Sequence, residues 1–152
     1  MALSAHLLRA WLVVLTSSSY LPGVILLSHS LRKTHSLYPL IVIATASLPA
    51  AALQALALEN LPVHIVAPIK PKNKVAVVAS RFEDTWTKLA VFGMEGYEKA
   101  VLLDGDMLVR KNIDALFELD IPADWIAANH ACVCNLDKAA WAPADWYDPP
   151  PP

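Results

Sequence analysis

Glycine is scarce in this chain, four in 152 residues. Neither a G-x-G-x-x-G nor a G-x-x-x-x-G-K-[ST] run occurs, which excludes the usual dinucleotide-binding and P-loop ways of cradling phosphate. Cysteine is scarcer still. Cys132 and Cys134 are the only two, one residue apart, a spacing awkward for an intrachain disulfide, and nothing in it suggests an oxidising compartment. Positive charge is not in excess either, with 12 Lys and Arg against 14 Asp and Glu and a net charge of −2. Such a balance argues against a nucleic-acid partner, whose phosphates call for a basic face. No apolar run approaches the ~18 residues of a membrane-crossing helix, so a cytoplasmic protein without a membrane span is expected. The opening MALSAHLLRAWLVVLTSSS carries Arg9 ahead of an apolar stretch, as a secretory signal would. Its uninterrupted apolar part, Trp11 to Leu15, is shorter than the roughly 7 residues of a signal core, and it reads better as a first buried strand.

What is present is a hydrophobic fraction of 56%, on a length that suits one domain with a real core. The patterns alternate along the chain. AWLVVLT reads as a strand and SSSYLPG as a turn. VILLSHSLRKTH reads as a helix with Val24, Leu27 and Leu31 on one face and Arg32, Lys33 and His35 at its C-terminal end. YPLIVIAT is a second strand, LPAAALQALALEN a helix that Pro49 can open, and LPVHIVAPI a third strand. After the polar KPKNK, the stretch SRFEDTWTKLAVFGMEGY predicts a helix with Trp86, Leu89, Ala90 and Phe92 on one face, ending at Gly93 or Gly96. KAVLLD is the fourth strand. Strands alternating with helices in this order imply an α/β fold with a mostly parallel sheet covered on both faces, and ligands then gather beyond the carboxyl ends of the strands.

Two strand exits are polar, VLTSSSY and LLDGDML. In the second, Asp104 and Asp106 flank Gly105. Two carboxylates converge on one divalent cation if the backbone between them bends, which Gly105 permits, and hard oxygen ligands suit Mg²⁺ or Mn²⁺. Such a cation would bridge to a nucleotide diphosphate. Asp-Gly is also a common turn pair, so a plain surface turn is the alternative reading of the same residues.

The stretch YEKAVLLDGDMLVRKNIDALFEL resembles the metal-binding signature of the retaining glycosyltransferases of family 8, the group that holds glycogenin and the plant galactinol synthases. VVLTSSSYLPGVILLSHSLRK, YPLIVIAT and TKLAVF fall in the family's order, so the resemblance covers roughly residues 11 to 135. YPLIV and the Cys-x-Cys lean toward its galactinol-synthase side.

The resemblance implies a GT-A-like, Rossmann-related nucleotide-diphospho-sugar domain over residues 1–135, with 136–152 an irregular Trp- and Pro-rich tail. It implies transfer of a hexose with retention from a UDP-sugar, UDP-glucose or UDP-galactose, to a carbohydrate, polyol or protein acceptor. Leu15, Thr16, Ser17 and Tyr20 would receive uracil and ribose, with Tyr20 stacking on the base; the loop through Ser17 and Ser18 is one residue shorter than in glycogenin-like chains and has serine where an asparagine is usual. Lys88 matches a lysine that faces the phosphates, and Arg81 would be a second cation nearby. Asp104 and Asp106 would hold Mn²⁺ or Mg²⁺, and Gly105 would let its backbone approach the ribose. No residue is assigned as the catalytic nucleophile. The family continues past WAPADWYDPPPP with an acceptor-binding region and a histidine that is the third metal ligand, so the sequence reads as truncated, with an incomplete C-terminal half. A catalytically inactive remnant that binds a nucleotide sugar or a protein is the rival reading.

Other features have plainer explanations. Trp86, Trp125, Trp141 and Trp146 read as packing in the core or an acceptor groove. His130, Cys132 and Cys134 supply three zinc-type ligands in five residues but lack a fourth partner for a closed site. A phosphatase or kinase using Asp104 would need a Ser or Thr partner and a Gly-rich phosphate loop, which the chain lacks.

Overall fold

The computed structural model describes residues 8–71, 85–122 and 125–128. Strand β1 (Leu8–Leu15) is followed by a short 3₁₀ turn (Ser18–Tyr20), helix α1 (Leu21–Lys33), β2 (Leu40–Thr45), α2 (Ala50–Leu58) and β3 (Val63–Val66). A 3₁₀ segment (Thr85–Gly93), β4 (Tyr97–Leu103) and a 3₁₀ turn (Asp114–Glu118) complete the described elements. The four strands form one parallel sheet in the order β3-β2-β1-β4.

The apolar run of β1 has a simple cause. The strand is paired on both sides and covered on both faces, so Ala10, Trp11, Leu12 and Val13 are all fully buried, where a half-exposed strand would alternate. On one face Trp11, Val13, Leu15, Val42 and Ala44 pack with Val24, Leu27 and Leu31 of α1, Ala52 and Leu56 of α2, and Phe117. On the other, Ala10, Leu12 and Ile43 are covered by Val91, Met94 and Tyr97. The expected two-sided α/β sandwich is therefore what forms.

Helix α1 begins earlier than the turn-forming SSSYLPG predicts. Pro22 lies in its first turn, where a missing N–H costs nothing. Both helices end in a Schellman motif whose left-handed residue is not glycine: His35 (φ 57°) after α1 and Asn60 (φ 55°) after α2. The Ser36 N–H reaches the Leu31 carbonyl at 3.1 Å, and the Leu61 N–H reaches that of Leu56 at 3.0 Å.

Residues Met1–Leu119 form one compact unit and Asp120–Pro152 a second. In the second, the Trp125 N–H donates to the Pro122 carbonyl at 3.0 Å. The predicted domain boundary at 135, the Pro-rich tail, Trp141, Trp146 and the His130, Cys132 and Cys134 group lie outside the described residues. No helix among the described residues is long and apolar enough to cross a membrane.

Candidate functional site

The chain runs outward from β1 through β2 to β3, then returns to place β4 on the other side of β1. The sheet order thus reverses between β1 and β4, and in open α/β sheets the crevice beyond the carboxyl ends at such a point is where ligands bind. Val13 pairs with Leu103, the last residue of β4, and β1 runs two residues further to Leu15, so both strands open into loops at the same end of the sheet. After β1 come Thr16 to Tyr20, and after β4 come Asp104, Gly105 and Asp106.

Asp104 to Met107 form a β-turn closed by the Met107 N–H on the Asp104 carbonyl at 3.1 Å. Neither Gly105 nor Asp106 has a positive φ, which leaves the type I class. The bend therefore uses angles open to any residue, and the expectation that glycine is needed for the bend itself is corrected. What a bare Cα avoids is crowding: a Cβ on Gly105 would lie 3.2 Å from Val24 Cγ2, tighter than ordinary contact, and 3.7 Å from Val13 Cγ2. The plain-turn reading and the two-carboxylate reading thus describe one object. Gly23, which the sequence pattern places in the SSSYLPG turn, lies in the first turn of α1, and a Cβ there would lie 2.3 Å from the Gly105 carbonyl oxygen.

Lys88 donates from Nζ to Asp104 Oδ1, and both side chains are roughly half exposed. The segment that carries it differs from the helix predicted. At three residues per turn, side chains eclipse every third position. Trp86, Leu89 and Phe92 form one such row and are all exposed, so the predicted apolar face, including the core role for Trp86, is corrected. Lys88, Val91 and Met94 form another row, whose last two members pack on the sheet. Thr87 is buried and its Oγ1 accepts from the Ile69 N–H at 3.3 Å, anchoring the segment beside Lys88. A 3.6-residue reading could not have found these rows. Arg81 lies outside the described residues.

In the β1 loop, the Ser17 hydroxyl caps the 3₁₀ turn, accepting from the Ser19 N–H at 3.4 Å and bonding the Ser19 hydroxyl at 2.9 Å. Tyr20 is half exposed at the start of α1. The Leu15 side chain is fully buried in the core, so any contact it makes with a ligand is through its main chain.

Beyond the DGD turn the chain is pinned along α1. The Val109 N–H donates to Ser30 Oγ at 3.0 Å, and Asn112 Nδ2 donates to the carbonyls of Thr34 and His35 at 3.1 and 3.2 Å. Asp114 accepts from Ser36 Oγ at 2.6 Å and the Leu37 N–H at 2.8 Å, while Trp11 Nε1 donates to the same Ser36 oxygen at 2.8 Å. Burial pushes the Asp114 carboxyl up, but the bonds from Ser36, Leu37 and Asn112 outweigh it and hold its pKa below the usual value. Phe117 meets Trp11 edge-on, ring centroids 4.6 Å apart, and Tyr38 at 4.1 Å. The NIDALF stretch is thus a structural strap that locates the end of the turn.

Two carboxylates one residue apart at the open end of a strand, one of them, Asp104, already paired with Lys88, are hard oxygen donors of the kind a divalent ion takes. The residues present therefore fit such an ion as part of its donor set. Among the described residues no group of three or more His, Cys, Asp or Glu side chains is placed to hold a metal.

A family model described as glycosyl transferase family 8 matches residues 12–145. Galactinol synthase 6 of Arabidopsis thaliana is 32% identical over 130 residues, which cover 84% of this chain and 38% of the relative. Galactinol synthase 10 of the same plant is 30% identical, covering 91% of this chain and 42% of the relative. Galactinol synthase 1 of Ajuga reptans is 30% identical, covering 89% and 45%. The chain spans about two-fifths of the length of the curated relatives it matches.

Proposed function

The chain belongs to glycosyl transferase family 8, and on that premise we propose that residues 1–135 are the nucleotide-sugar domain of a retaining hexosyltransferase. The donor is UDP-glucose or UDP-galactose, and the acceptor a carbohydrate, a polyol or a protein. Asp104 and Asp106 would hold Mn²⁺ or Mg²⁺, and the fold that carries them is GT-A-like.

One observation supports this reading above the rest. A Lys88–Asp104 ion pair, with Asp106 in the same turn, lies at the carboxyl end of β4, beside β1, where the sheet order reverses. The charge there is suited to a cation followed by a diphosphate. Two negative charges and one positive leave one negative, which attracts a divalent ion; adding that ion makes the site positive, which attracts phosphate. When bound, the ion supplies the charge that stabilises a diphosphate leaving group.

The chain's own residues then have distinct tasks. Lys88, held by the Thr87 anchor, turns its ammonium from Asp104 to a phosphate oxygen as the donor arrives. Tyr20 offers a half-exposed ring to the uracil. Thr16 and Ser17 receive the ribose. The Gly105 backbone lies at the floor, where a side chain would crowd Val24.

Calorimetric titration of UDP into the full chain, with Mn²⁺ and again with EDTA, tests the reading. Binding is expected only with Mn²⁺ and is expected to vanish in Asp104→Asn with Asp106→Asn. Lys88→Ala should weaken UDP about tenfold, the loss of one charge-assisted hydrogen bond. Metal-independent binding, or binding indifferent to both aspartates, would overturn the assignment. Metal-dependent UDP binding without sugar transfer to any of the three acceptor classes would point to a non-catalytic nucleotide-sugar binder.

A further inference from the structure

We infer that Gly23 is a positioning residue for the two carboxylates: its missing Cβ is the space that the Gly105 carbonyl occupies, and this contact sets the orientation of Asp106 relative to Asp104. The inference rests on the reading of those carboxylates as a cation site.

Nothing in α1 itself calls for glycine at this position. The residue is helical, its φ is negative, and glycine is a poorer helix former than alanine. The demand comes from across the site. A Cβ on Gly23 would lie 2.3 Å from the Gly105 oxygen, 3.2 Å from its carbonyl carbon and 3.8 Å from Asp106 Cα. All three are backbone atoms, which cannot swing aside as a side chain would.

The Gly105 carbonyl belongs to the central peptide of the turn. Rotating that peptide over converts type I into type II, which requires a positive φ at Asp106, a conformation unfavourable for a residue with a Cβ. Asp104 is tied to β4 at one side and to Lys88 at the other. Asp106 hangs directly from the peptide that Gly23 accommodates, so displacing the carbonyl redirects Asp106 while Asp104 stays. The next residue of the same helical turn, Val24, bounds Gly105 on its Cα side at 3.2 Å from where a Cβ would stand. The first turn of α1 is thus a seat with two walls.

The test is Mn²⁺ binding by the full chain without nucleotide, followed by the loss of the free-ion electron paramagnetic resonance signal, with far-UV circular dichroism to confirm folding. Gly23→Ala is expected to weaken Mn²⁺ about tenfold or more, the range seen when a residue that orients a ligand is changed. Ala52→Gly in α2, a comparable helical perturbation away from the turn, should retain the parental affinity. If Gly23→Ala fails to fold, adding Asp106→Gly, which frees the central peptide to rotate into a type II turn and move the Gly105 carbonyl away from the new Cβ, should restore folding. Parental affinity in folded Gly23→Ala, or failure of Asp106→Gly to restore folding to an unfolded Gly23→Ala, would overturn the inference alone. Absence of Mn²⁺ binding by the parent chain would overturn the cation site and this inference with it.

Discussion

Asp114 shows how one side chain can tie distant parts of a chain together. It joins the strap after the DGD turn to the connection between α1 and β2, through bonds to Ser36 and Leu37. Its carboxylate is favoured in the folded state, so its pKa there is lower than in the unfolded chain. The stabilisation is fully present above the unfolded value, about 3.9 for an aspartate, and disappears as pH falls through the folded value. Asp114→Asn is expected to lower stability by about 1–2 kcal/mol at neutral pH, the worth of hydrogen bonds to a charged group at a partly exposed site. Urea unfolding as a function of pH checks it: the difference between parent and variant should shrink below about pH 4. A difference that persists unchanged into acid would mean that the charge is not what matters.

At the scale of elements, the scarcity of glycine has a visible consequence in the helix ends. His35 and Asn60 occupy left-handed positions that glycine would fill without strain. His35→Gly is expected to raise stability by about 1 kcal/mol, and Asn60→Gly by less, because asparagine tolerates this region better. Thermal unfolding of the two variants should rank them in that order. The same paucity helps explain what was legible in the sequence. β1 and β2 were plain, because strands buried on both faces must be continuously apolar. α1 was plain from its spacing of apolar residues, apart from a start that Pro22 could have marked, and α2 from its Ala- and Leu-rich run behind Pro49. The 85–93 segment was misread because its period is three, and no apolar pattern announces that. At the DGD turn the residue types could be read, whereas the reason for Gly105 could not: the space it leaves belongs to α1, more than 80 residues earlier. Gly23 was missed for the same reason, since steric need across a site has no local signature.

The molecule as a whole is organised around β1, which pairs with β2 on one side and β4 on the other. β3 and β4 are the outer strands among the described residues. Amides of β1 from Ala10 to Val14 are therefore expected to be the slowest to exchange, and those of β3, whose His64 and Ile65 are exposed, to open earlier. Hydrogen exchange read by mass spectrometry over peptides from each strand tests this ranking; equal protection of β1 and β3 would contradict it. The pairing of β1 with β4 joins residues such as Arg9 and Lys99. No short-range collapse can bring those two strands together. The β1, α1 and β2 unit can close through near neighbours, whereas the crevice exists only after a long loop has been closed, an entropic barrier that local contacts do not lower. Refolding should therefore restore helical signal before it restores cation binding, and the time between the two is set by the sequence distance that β4 has to cover.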